Sequence, residues 1–208
     1  DMNQSEIETR PIRLIAGASP FCETFFNNAR AEKDDLLGDL NAGWTVGKRL
    51  LQHERQSQTG ASLGGGGSQR KSLRDMAEKY VGLDSQGKLT DSDLRSRLAD
   101  HMMEAQSHSL TIARIIAESR GSAKVSAAAS ILKNSAAQVT QQRSELLLEI
   151  LGNQGLGWEG DEYTAEELAT VRTWLGGKAV SIYGGSFEIQ NNIIAKNILG
   201  LPENTQRG

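Results

Sequence analysis

The chain has 208 residues and a mass of 22.5 kDa, enough for one substantial core or two small ones. A formal charge of −3, a pI near 5.7 and scattered Lys and Arg exclude the basic footprint of a nucleic-acid binder. A single cysteine, Cys22, excludes an internal disulfide framework, and no apolar run approaches membrane-spanning length.

The polar start Asp1-Met2-Asn3-Gln4-Ser5-Glu6 is not that of a signal peptide, and the expected location is the cytoplasm. Residues Ile7 to Ile15 and Phe21 to Phe26 are rich in β-branched and aromatic side chains. With Gly17, Ser19 and Pro20 between them they predict two strands joined by a turn. Cys22 is expected as a small core residue of the second strand. Two strands rarely stand alone, so a start at Asp1 directly before them is expected of a piece of something longer.

From Gly43 onward the spacing is helical. Trp44, Gly47, Leu51, Glu54, Gln58 and Ala61 recur at steps of three and four and predict one face, which places Glu54 on the buried side. A carboxylate there is costly unless paired, and burial raises its pKa toward the range of a general base. An ion pair with a neighbour such as Arg55, or a helix that turns Glu54 outward, accounts for the same residue without chemistry. The glycine run Gly64 to Gly67 reads either as a break or as a closely packed seam. Leu73, Met76, Ala77, Tyr80 and Val81 then resume a helical stripe.

Leu83 to Leu89 predicts a polar loop, and Thr90-Asp91-Ser92-Asp93 a helix start. The helix that follows carries Leu94, Leu98, His101, Ala105, His108, Ile112 and Ile115 on one face and is expected to end near Gly121. Its histidines are seven apart, not the four of a helical metal pair, and are expected to be satisfied in a core or at a subunit contact; no metal is expected. Ser122 is expected to cap a long helix to Leu151, where Ala127, Ala128, Ala129, Ala136 and Ala137 admit close neighbours, and Gly152-Asn153-Gln154-Gly155 ends it. Thr164-Ala165-Glu166-Glu167 is a capping box, with Leu168, Val171, Leu175, Ala179 and Ile182 as the stripe of the next helix. Two glycines, Gly184 and Gly185, break that helix. Ser186 can cap the last one, in which Ile189, Ile193, Ile194 and Ile198 form a stripe before Gly200 and Pro202. Long amphipathic helices on short loops predict a mainly α, up-down helical bundle preceded by two β-strands, with a tail of a β domain over 1–40 and the bundle over 41–208.

Tyr183-Gly184-Gly185-Ser186-Phe187-Glu188-Ile189-Gln190, running on to Leu199-Gly200-Leu201-Pro202, resembles the C-terminal signature of the acyl-CoA dehydrogenase family. Arg10 to Ile15 and Phe21 to Arg30 resemble the last strands of that family's middle β domain, and Leu37-Gly38 to Gly43-Trp44 the passage into its helical domain. The resemblance implies removal of the α proton of an acyl-CoA thioester by a glutamate while a hydride passes to FAD, in fatty acid or lipid metabolism. Many members carry that glutamate where this chain has Gly184. Others carry it in a Leu-x-x-Glu-Arg context, matched by Leu51-Gln52-His53-Glu54-Arg55, which implies Glu54 as the catalytic base.

The same resemblance implies that Gln52, Arg55 and Tyr183 line the substrate channel and that the Gly184 amide polarises the thioester carbonyl. It implies Ser186 and Glu188 beside the flavin, with Gly152, Asn153 and Gly155 as a second flavin loop. Asn153 replaces a glycine there, Glu149 stands where a Gln is usual, and the family's Arg-x-x-Phe-Gly segment has no counterpart after the glycine run. The implied partners are an upstream half of the same enzyme, a homo- or hetero-tetramer and an electron-transferring flavoprotein. A non-catalytic subunit of a heteromeric dehydrogenase, an acyl-CoA oxidase and a helical interaction module are the alternatives.

Overall fold

The structure, a computed structural model, describes residues 1–51, 53, 72–119 and 128–202. It divides into two compact units, Asp1–Ser57 and Gln58–Gly208.

In the first unit β1 (Ile7–Ile12) and β2 (Phe21–Phe26) pair antiparallel, from Ile7 opposite Phe26 to Ile12 opposite Phe21. β1 stops three residues short of the expected Ile15. The Leu14 amide already bonds the Ala18 carbonyl at 2.9 Å and Gly17 turns the chain at φ +85°. Gln4 closes the open end, its side chain accepting from the Arg30 amide and donating to the Arg30 carbonyl, each at 2.9 Å. A two-stranded ribbon covers neither of its own faces. Phe21 and Phe26 are exposed, and so is Cys22, which corrects its expected place in a core. Residues 43–51 form α1. Among the described residues of its expected buried stripe, Trp44 is 72% and Leu51 46% exposed instead.

The second unit is the helical bundle. α2 (Leu73–Tyr80) starts at Ser72, whose side chain accepts from the Asp75 amide, and buries Leu73, Met76 and Ala77. Gly82 and Gly87, both at positive φ, carry the chain through the 83–89 loop. Asp91 then caps α3 (Ser92–Ser119), its Oδ1 accepting from the Leu94 amide at 2.9 Å. α4 (Ala128–Leu151) is the central helix and packs against α2, α3, α5 (Ala165–Gly177) and α6 (Phe187–Asn197). Ala137, fully buried, lets its neighbours approach, as expected of the alanines; Ser122 and Ala127 lie outside the described residues.

Leu73, Met76, Ala77, Leu94, Leu98, Leu146, Ile150 and Leu151 form the core where α2, α3 and α4 meet. At about 1.5–3 kcal/mol for each large side chain, that cluster is the main force holding the three helices. The capping box at α5 is present: Thr164 accepts from the Glu167 amide at 3.3 Å and Glu167 from the Thr164 amide at 2.7 Å. The other oxygen of the buried Glu167 accepts from the Tyr80 hydroxyl at 2.8 Å, which ties α5 to α2. The Thr164 amide first, and the Tyr80 hydroxyl second, hold the Glu167 carboxyl below the usual carboxylate range. No helix among the described residues is long and apolar enough to cross a membrane.

Candidate functional site

The bundle presents a turn between two helical segments. After α5 a 3-10 segment, Lys178–Ser181, leads into Ile182 and Tyr183, whose amides both reach the Ala179 carbonyl, at 2.9 and 3.1 Å. Gly184 (φ +66°) and Gly185 (φ +91°) then reverse the chain in a conformation that L side chains rarely adopt. Ser186 is the N-cap of α6 without a side-chain bond to the helix end. The Gly184 amide has no hydrogen-bond partner among the described residues.

What fixes this turn was not foreseen from spacing. The amide of Gln190, buried one turn into α6, donates to the Gly184 carbonyl at 2.8 Å. A Cβ at Gly185 would meet that same amide at 2.6 Å. α4 grips both sides of the turn. Gln141 donates to the carbonyls of Gly177 and Lys178 and to the Ser181 hydroxyl on the entering side. On the leaving side Asn134 donates to Asn191 at 2.9 Å and the Lys133 ammonium lies over the Phe187 ring, 5.4 Å from its centroid. These are long-range pairs of polar residues, and helical periodicity carries no signal for them.

The apolar stripes around the turn are less buried than expected. Ile182 (69%), Tyr183 (59%) and Ile189 (54%) are exposed, Ile198 is exposed too, and Ile193 and Ile194 are half-buried. α6 packs on α4, and Ile182, Tyr183 and Ile189 are left as exposed apolar side chains on either side of the glycine pair, with the polar Glu188, Asn191 and Asn192 exposed beside them. Ser186 is half-buried and Glu188 exposed at the head of the same helix. The Ser186 hydroxyl first, and the Glu188 backbone amide next, hold the Glu188 carboxyl below its usual range.

Gly152, Asn153 and Gly155 fall in a 3-10 turn, Gly152–Leu156, that ends α4. A Cβ at Gly155 would come within 2.8 Å of the Leu148 carbonyl, so the turn needs glycine there, while Asn153 is exposed. Glu149, one turn earlier, is held by Arg97 of α3 in a two-pronged ion pair, one arm of it 2.6 Å long. Gln52, Glu54 and Arg55 lie outside the described residues.

The two histidines part company. His108 bonds the Ser135 hydroxyl at 2.7 Å as expected, whereas His101 is buried with its Nδ1 unpartnered, beside Gln142 in a groove between α3 and α4. Burial pushes both imidazoles below their ordinary pKa. Among the described residues no cluster of three His, Cys, Asp or Glu could hold a metal ion.

The family model for the acyl-CoA dehydrogenase C-terminal domain matches residues 41–199, and the chain belongs to the acyl-CoA dehydrogenase family. It is 31% identical over 202 residues to the acyl-CoA dehydrogenase IpdE1 of Mycolicibacterium smegmatis, covering 97% of this chain and 47% of that protein. To FadE34 of Mycobacterium tuberculosis it is 29% identical over 204 residues, covering 97% of this chain and 26% of the relative. It thus spans half or less of the curated relatives it matches. In fold it is similar to the steroid ACAD Tcur3481–Tcur3483 (TM-score 0.76, 20% identity, 98% of this chain and 51% of that one). It is also similar to the ChsE4–ChsE5 complex of Mycobacterium tuberculosis (TM-score 0.72, 20% identity, 97% and 52%).

Proposed function

We propose that this chain is the C-terminal part of an FAD-dependent acyl-CoA dehydrogenase and that Glu54 is its catalytic base. The observation that carries the reading is the Gly184 turn: a free amide at positive φ, set in exposed apolar side chains and held by Gln190. A planar, largely apolar ring system with carbonyl oxygens, or a thioester, is the kind of group such a surface receives. Gly184 cannot take a proton, which leaves Glu54 as the carboxylate in the family's alternative position.

In this reading the Glu54 carboxylate takes the α proton of the acyl thioester, and Gln52 and Arg55 line the channel beside it with Tyr183. The Gly184 N–H donates to the thioester carbonyl oxygen and stabilises the negative charge that develops there as the proton leaves. FAD, when bound, supplies the acceptor for the hydride from the β carbon. Ser186 and Glu188 would hold it on the side of the turn, with Gly152, Asn153 and Gly155 as the second contact. An upstream half, a tetrameric assembly and an electron-transferring flavoprotein are the partners this reading calls for.

The full-length protein tests this with Glu54→Gln. Dehydrogenation should fall about a hundred- to ten-thousand-fold while the bound flavin and its visible spectrum stay. Unchanged turnover would remove Glu54 from the mechanism. A wild type that stays colourless with added FAD would remove the whole reading.

One observation favours a second reading, a subunit of a heteromeric dehydrogenase whose partner completes the flavin site: Glu149, beside the 152–155 turn, is engaged by Arg97. Full activity in a Glu54→Gln complex would select it. For the acyl group we propose a bulky, polycyclic thioester, a reading supported by the likeness in fold to a steroid ACAD; a substrate panel in which short straight chains react faster would reject that.

A further inference from the structure

Lys133, near the start of α4, is set where a lysine is hard to account for by packing. Its Nζ is sealed from solvent and has no hydrogen-bond acceptor among the described residues. It meets the face of Phe187, the first residue of α6, and the field of Glu188, the second, acts on it. An ammonium without an acceptor is costly to bury, and an aromatic face with a carboxylate beyond ion-pair reach only partly offsets the loss of water. Methionine, of similar length, would fill the same space without that cost. Burial works against the charged form and the field of Glu188 works for it.

The charge is aimed at one place. Phe187 directly follows Ser186, and the next residue of α4, Asn134, is bonded to Asn191 one turn further along α6. Gln190, on the same turn as Asn191, holds the Gly184 carbonyl. A movement or a charge at Lys133 is therefore felt at the 183–188 turn through two α4 contacts on α6 and one bond back to Gly184. The Lys133 ammonium itself is out of water, where a charge is less screened than on a surface.

We propose that Lys133 is a positioning residue for the group that docks on the 183–188 turn, and that its buried positive charge favours the more negative, reduced form of a flavin held there. The proposal rests on the flavin reading above, and adds to it a residue that touches neither substrate nor cofactor.

The experiment uses the full-length protein with any partner chain it requires. Wild type, Lys133→Met and Lys133→Arg are compared for flavin content, flavin midpoint potential and melting of the flavin-free protein. The expected result is a potential shifted to more negative values in Lys133→Met and restored in Lys133→Arg, with flavin-free melting unchanged or higher in Lys133→Met. An unshifted potential together with lower melting of Lys133→Met would make Lys133 a packing residue and overturn the proposal. If Lys133→Met yields no soluble protein, Lys133→Gln is read in the same way, and failure of both neutral variants to fold also overturns it. A wild type without flavin overturns the function reading and this proposal together; a yellow wild type with an unshifted variant overturns this one alone.

Discussion

The Gln190 side chain donates to the Gly184 carbonyl at 2.8 Å and occupies the space that a Cβ on Gly185 would need. One buried amide thus selects the glycine beside it and holds the carbonyl of the other. The signature Tyr-Gly-Gly-Ser-Phe-Glu-Ile-Gln is, on this view, a mechanical unit: two residues free to reverse the chain and a third that locks the reversal from the following helix.

Gly185→Ala should therefore destabilise the protein by about 1–3 kcal/mol, the sum of a strained positive φ and a displaced amide. Gln190→Leu should cost about 1–2 kcal/mol, because the bond to the Gly184 carbonyl is lost. The two should not add in the double variant, since they remove one shared contact. Denaturant unfolding of the three variants measures this; full additivity would contradict the coupling.

Glu149→Gln should change stability by no more than about 1 kcal/mol, because both partners of its ion pair with Arg97 are partly exposed. In the full-length protein the same change should raise flavin retention, since it restores the side chain usual at that place in the family. Flavin absorbance per chain after gel filtration reads the second effect, and lower retention would reverse the expectation.

The folded-state pKa of Glu167 is held below its unfolded value, so its contribution to stability is present above the unfolded pKa of about 4.3 and is lost as pH falls through the folded value. Glu167→Gln should flatten the acid limb of the stability curve and lower stability at neutral pH. Tyr80→Phe removes one of the bonds that hold the carboxylate and should shift the limb in the same direction by less. Melting temperatures between pH 3 and 7 give the comparison.

His101 and His108 both have folded pKa values lowered by burial, in His101 against the pull of the Gln142 side chain and of Glu104 and with help from Arg143. For a base the sign follows: the folded state favours the neutral ring, stability is intact above the unfolded pKa of about 6.5, and it declines as pH falls below that value. Replacing His108 with Gln should keep a partner for Ser135 and remove part of the decline between pH 6.5 and 5. An unchanged slope would mean that His108 does not take up a proton on unfolding.

Much of the bundle was legible in the chain alone. The capping residues Asp91 and Thr164, the stripe on α2 and the buried side of α3 follow from local hydrogen bonding and from the 3.6-residue period, both of which are written in neighbouring residues. The glycine turn was also legible as a turn. The exposure of Cys22, Trp44 and Leu51 was not, because a periodic pattern marks which side is apolar without marking whether anything covers it.

By itself the sequence determined the family, the order of the helices and the glycine break at 184 and 185, since these depend on short-range geometry and on side-chain type. Only the tertiary structure decided how the turn is held. Gln141, Lys133 and Asn134 reach it from α4 across 36 to 57 positions of chain, and Gln190 reaches back to Gly184 from inside α6. Polar contacts over such separations obey no period, because they depend on where whole helices come to rest once the apolar core has been packed.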